Sequence, residues 1–166
     1  MVFFSAGKGG GREIEYGYKG KGTTTHLLVD GNGSPLTFES TAANGDERQQ
    51  VEFLIGRVQK YIDDLWRFEG KIAVFEADKG YDAHHLRVKL LKHKIFPWIC
   101  RRKKPGKVAQ KVTSFLIRMR WKVERAISWL QRKFRRLAVR WERKVEYWRG
   151  FLNFGLISFW INRLVG

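Results

Sequence analysis

The sequence predicts an α/β domain in which a mixed sheet is flanked by helices. Three observations lead there. Residues 25–40 read as two strands joined by a tight turn, and residues 71–99 as strand, helix, strand. The long segments between and after them repeat apolar residues at helical spacing. The first unit supplies antiparallel pairing and the second parallel pairing through a right-handed crossover. The chain has 166 residues, 43% of them hydrophobic, which is enough to bury a core. No linker is long enough to divide it, so one domain over residues 1–166 is expected.

The elements follow in order. Residues 5–24 are rich in Gly and Lys and invite a phosphate-loop reading. That pattern needs Ser or Thr directly after Gly-Lys, whereas here Gly22 follows Gly20-Lys21; a flexible lead-in and a turn are expected instead. Thr25–Val29 is a strand, Asp30-Gly31-Asn32-Gly33 a turn, and Leu36–Ser40 the returning strand, because Gly and Asn tolerate the backbone such turns require. A helix opens with Asp46 as its cap, its apolar face set by Val51, Leu54, Ile55, Val58, Ile62 and Leu65. Lys71–Ala77 is a short apolar strand ending at Asp78. A helix over about 83–93 follows, and then Ile95–Ile99, an edge strand because Pro97 has no N–H to donate. A basic loop (101–111) precedes a long helix over about 113–139. A last helix runs from about Glu142 to Leu164.

Charge divides the chain. Residues 1–100 carry 14 Lys and Arg against 13 Asp and Glu, while residues 101–150 carry 18 against 3. A basic, aromatic-interleaved block on a near-neutral globular part points to a polyanion, and nucleic acid fits it best. Cys100 is a lone cysteine. It excludes an intrachain disulfide and a paired-cysteine zinc site, and it suits the cytoplasm. No secretory signal is visible. The longest apolar run, Phe151–Val165, is broken by Asn153, Gly155, Ser158 and Asn162. It reads as a buried helix, with no membrane partner.

Two acids stand out. Asp78 lies where an apolar strand gives way to a glycine-containing loop, a common ligand position in α/β sheets; a turn-capping role remains equally open. Glu124 is the only carboxylate between Asp82 and Glu142, one helical turn from Arg120 and Ser128. It reads either as an ion pair with Arg120 or as a metal ligand beside a phosphate backbone. Together the two suit divalent-metal phosphoryl chemistry, which requires oxygen ligands. His26, His84 and His85 read as structural or surface residues, and Asp30 as turn chemistry. Trp121, Trp129, Trp141, Trp148 and Trp160 fall near helical apolar faces; most are core, with one or two left to stack on exposed bases.

The stretch Ala77-Asp78-Lys79-Gly80-Tyr81-Asp82 resembles a motif of bacterial insertion-sequence transposases of the DDE type. Residues 118–130, containing Arg120 and Glu124, resemble their Tyr-x2-Arg-x3-Glu signature, with Ile117 in place of Tyr and Gln131 where a basic residue is usual. Phe134–Glu142 resembles the Phe-Arg-Arg-Leu continuation, and the Gly-Lys-rich start matches in order and spacing. The resemblance covers essentially the whole chain. It implies an RNase H-like mixed sheet flanked by helices, with a long basic C-terminal helical region. It also implies cleavage and strand transfer at terminal inverted repeats, dependent on Mg²⁺ or Mn²⁺. Asp78 would be the second catalytic acid and metal ligand, and Glu124 the third.

The expected DNA-facing set is Lys79, Arg101, Arg102, Lys103, Lys104, Lys107, Arg120, Lys122, Arg125, Arg132, Lys133, Arg135 and Arg136. The partner is double-stranded DNA, as element end and target, and a homodimer stays open. The family's first acid would fall at Met1-Val2, where no carboxylate stands. The expectation is therefore a truncated catalytic domain without its first acid and N-terminal helical region, or a DNA-binding remnant that no longer cuts. A basic RNA-associated protein is the third reading, and it gives Asp78 and Glu124 no role.

Overall fold

A computed structural model describes residues 1–64, 72–101 and 114–165. They form two compact units. The first contains Met1–Asp46 and Lys122–Gly166, the second Glu47–Trp121.

The first unit is built on a mixed sheet. Its strands are β1 (Val2–Gly7), β2 (Glu15–Gly17), β3 (Gly20–Val29), β4 (Pro35–Ala42) and β7 (Val139–Arg140). β3 pairs antiparallel with β1, β2 and β4, and β1 pairs parallel with β7. The expected hairpin is therefore present, its first strand beginning earlier, at Gly20, and its second running from Pro35 to Ala42. Its turn is closed by Asp30, whose Oδ1 accepts from the N–H groups of Asn32 and Ser34 at 2.9 and 2.7 Å. The flexible lead-in is corrected, because Val2–Gly7 is an inner strand and residues 15–17 form a second one. Phe3 and Ser5 face inward, an alternation too short and too rich in Gly and Ser to announce a strand by pattern alone.

Helices close one face. Ser114–Lys133 is α3, Arg135–Ala138 the one-turn α4, and Val145–Val165 is α5. Phe3, Leu27 and Phe38 from the sheet meet Ala126, Leu130, Leu137, Trp148 and Leu152 from the helices in one core. The expected continuous helix over 113–139 is corrected. Phe134, at φ −119° and ψ 88°, leaves helical geometry, and Val139-Arg140 then joins the sheet edge. Apolar periodicity continues through the break because Leu130 and Leu137 enter the same core. The last helix starts at Val145, three residues later than expected.

In the second unit α1 (Glu47–Asp64) is followed by β5 (Val74–Ala77), a 3-10 turn (Lys79–Tyr81), α2 (His84–Lys92) and β6 (Phe96–Ile99). β5 and β6 pair in parallel from Val74↔Phe96 to Ala77↔Ile99, as the strand–helix–strand pattern requires. Val51, Leu54 and Val58 are buried along one face of α1, as are Leu86 and Leu90 of α2. Each described unit is thus α/β. Most of the basic loop, with Arg102, Lys103, Lys104 and Lys107, lies outside the described residues.

Candidate functional site

The Asp78 motif is held together residue by residue. β5 delivers Asp78 to the strand's carboxyl end, half-buried. Its Oδ1 accepts the Gly80 N–H at 2.8 Å and caps the 3-10 turn. A Cβ on Gly80 would lie 2.9 Å from that oxygen and 3.9 Å from Oε2 of Glu47, so glycine keeps the carboxylate's surroundings open. Tyr81 is buried. Burial, reinforced by the charges of Glu47 and Asp78 and a hydrogen bond with Glu47, pushes its hydroxyl far above the usual tyrosine range. Arg87 grips Asp82 Oδ1 at 3.0 and 2.8 Å and donates to the Ile99 carbonyl at 2.7 Å, tying the loop to the end of β6. Capping and ligation are compatible at Asp78. A carboxylate has about four acceptor sites, and one N–H leaves capacity for a cation.

Glu124 stands exposed on α3, with Ala126 and Leu130 turned into the core. Arg120 and Arg125 beside it are exposed as well. Lys122, two residues before it, donates to the Gly31 carbonyl. A Cβ on Gly33, at φ +86°, would sit 3.0 Å from the Lys122 Cβ. The Asp30–Ser34 turn is therefore the seat of this part of α3. Met1 hydrogen-bonds Leu27, just before that turn, so the start of β1 and the Glu124 region share one end of the first unit. Asp78 belongs to the second unit and Glu124 to the first. Among the described residues no three His, Cys, Asp or Glu side chains group as a metal site. The two acids are hard oxygen donors, the type that suits Mg²⁺ or Mn²⁺.

The basic set resolves into different roles. Lys79, Arg101, Arg132, Lys133 and Arg135 are exposed. Lys133 lies over the Trp129 ring at 5.1 Å. Arg136 pairs with Glu142 at 2.7 Å and covers Phe151 at 4.9 Å. Sequence reasoning passed over Arg140, which lies in the same basic block and is 0% exposed. Its guanidinium donates to Thr23 Oγ1 at 2.7 Å, the Glu142 carbonyl at 3.0 Å and the Arg12 carbonyl at 2.8 Å. It also passed over Glu47 and Arg87, which hold the Asp78 loop; no local pattern in the sequence signals either. His26, read as structural or surface, is buried with Nε2 2.9 Å from Thr41 Oγ1.

The Gly-rich start has a packing reason. A Cβ on Gly9 would lie 2.1 Å from the Trp141 carbonyl oxygen, and one on Gly11 2.1 Å from that of Arg143. Arg143 Nε donates back to the Gly9 carbonyl at 2.9 Å. The Gly-rich start and the chain at the end of the Phe134–Glu142 segment are thus pressed together backbone to backbone, which only glycine allows.

No helix among the described residues is long and apolar enough to cross a membrane. No solved structure matches the chain. One similar protein is a transposase candidate for insertion sequence element IS402 from Burkholderia cepacia, 33% identical over 134 residues. The match takes in 81% of this chain and 60% of that protein, so the chain spans less than two thirds of its relative's length. The Transposase DDE domain family matches residues 3–147, a span that contains the Gly-rich start, the Asp78 loop and Glu124 with its helix. With that much of its length and each of its motifs inside the match, the chain belongs to the transposase DDE domain family.

Proposed function

We propose that this chain carries catalytic residues of an insertion-sequence transposase that cuts and joins double-stranded DNA at the element's ends. The observation that carries the reading is the construction around Asp78. A strand, a glycine N–H, a buried tyrosine and an Arg87 clamp fix one carboxylate at a strand's carboxyl end. Asp78 and Glu124 would hold Mg²⁺ or Mn²⁺ in an RNase H-like domain. When bound, the metal supplies charge neutralisation at the phosphate and activation of the attacking hydroxyl. The chain's own part is positioning. Gly80 and Tyr81 keep the Asp78 carboxylate in place, and exposed Arg132 and Arg135 bind phosphates and set the DNA's register.

The test is metal-dependent nicking of supercoiled plasmid by the chain and by Asp78→Asn and Glu124→Gln. Each substitution is expected to lower nicking at least a hundredfold, and unchanged nicking in both would remove them from the mechanism. A second reading has its own observation: residues 101–150 carry 18 Lys and Arg against 3 Asp and Glu, a polyanion-binding block that needs no cleavage chemistry. On that reading the chain binds DNA without cutting it, and salt-sensitive binding with no nicking at any metal concentration would establish it.

A further inference from the structure

The first unit has a second end. β1 runs from the Met1 end, which it shares with the Glu124 region, to Gly7, six residues or roughly 20 Å away. There the Lys8 N–H donates to the Arg140 carbonyl at 2.9 Å, and the glycine segment meets Trp141–Arg143. Trp141 is 61% exposed, yet its backbone is fixed from several sides. Its N–H donates to Glu142 Oε2 at 3.2 Å, its carbonyl is packed against Gly9, and the buried Arg140 precedes it. Lys8, Arg143 and Lys144 are exposed beside it in sequence or through the glycine contacts. Nearby acids are engaged: Glu142 by Arg136 at 2.7 Å and Glu146 by Arg12 at 3.7 Å. The tip of the β2–β3 hairpin, Tyr18-Lys19, projects from the same end of the sheet, and Tyr18 is fully exposed.

A single exposed aromatic needs no explanation. An indole held out on an immobilised loop among cations has the components of a base-stacking surface, since every base offers a π face and cations take the adjoining phosphates. Bases inside a duplex have no free face, so the fitting partner is DNA with unpaired bases. Cutting the two strands at offset positions produces such ends, and here the inference rests on the proposed function. We propose that the Trp141 end of the first unit's sheet is a stacking platform for unpaired DNA bases, distinct from the acids that carry cleavage.

The experiment compares two labelled oligonucleotides by fluorescence anisotropy at low salt. One is a blunt duplex, the other the same duplex with a five-nucleotide single-stranded overhang. Trp141→Ala is expected to weaken overhang binding roughly tenfold, the size of one base–aromatic stack, and to change blunt-duplex binding less than twofold. Trp141→Phe, which keeps a ring and guards against loss of fold, is expected to recover most of the overhang affinity. Equal losses on both DNAs, or Phe no better than Ala, would overturn stacking. So would unchanged affinity for both, including the case where Trp141→Ala alters only the oligomeric state, which would make this end a protein contact. Failure of the unmodified chain to bind either DNA would overturn the proposed function itself, a result separate from the Trp141 comparison.

Discussion

Replacing Arg140 with Met should destabilise the first unit without touching affinity for blunt duplex DNA. The side chain is wholly buried and donates three hydrogen bonds, to Thr23 Oγ1, the Glu142 carbonyl and the Arg12 carbonyl. It also lies over the Trp148 ring at 5.9 Å. Bonds from a charged donor contribute about 1.5–3 kcal/mol each. Against them stands the desolvation of the guanidinium, several kcal/mol, which Met does not incur, and burial accordingly lowers the Arg140 pKa. Met fills the space but leaves three acceptors without their donor. The net expectation is a loss of about 3 kcal/mol, or roughly 6–12 °C in melting temperature for a chain of this size. Urea unfolding measures the first and calorimetry the second. Affinity for blunt duplex DNA and its salt dependence, measured well below the melting transition, should match the unsubstituted chain. A loss under 1 kcal/mol together with weaker DNA binding would refute the reasoning and return Arg140 to the DNA-facing set.

Three further outcomes are expected. His26 is buried, and burial, with the Met1 ammonium adding to it, lowers its pKa from 6.5 to about 4. The unfolded chain therefore binds the proton more readily, so the stabilisation is complete above pH 6.5 and is lost as pH falls toward 4. The drop should be roughly 3 kcal/mol, and urea midpoints across that window should flatten in His26→Gln. Gly9→Ala should destabilise by about 1–3 kcal/mol, because its Cβ meets the backbone carbonyl of Trp141 at 2.1 Å; an unchanged urea midpoint would deny that contact. Arg135→Ala should lower the slope of log affinity against log salt by about 1, the signature of one lost phosphate contact, whereas Arg140→Met should leave the slope unchanged.

Some of the chemistry was legible because it is local. Asp78 follows an apolar strand and precedes a glycine, and Asp30 sits in a sequence that turns by itself. α1 and α2 repeat apolar residues at helical spacing. The family resemblance rested on contiguous motifs, so it needed no fold. Sequence alone likewise placed the positive charge in one block.

The tertiary structure decided whatever depends on partners far along the chain. Arg140 and Arg135 are the same residue type in one basic run, yet the first is fully buried and the second exposed. The difference is that Val139-Arg140 pairs with β1, more than 130 residues earlier. Residues 5–7 looked like loose lead-in, yet they continue the strand Val2–Gly7, which β3 and β7 enclose. The glycines at 9 and 11 looked like flexibility and proved to be close packing against residues 141–143. Trp148 and Trp141 are equally aromatic in sequence; one is fully buried and the other held out in solvent. Sequence determines what a segment prefers by itself, whereas burial and pairing are set by the distant backbone that arrives beside it.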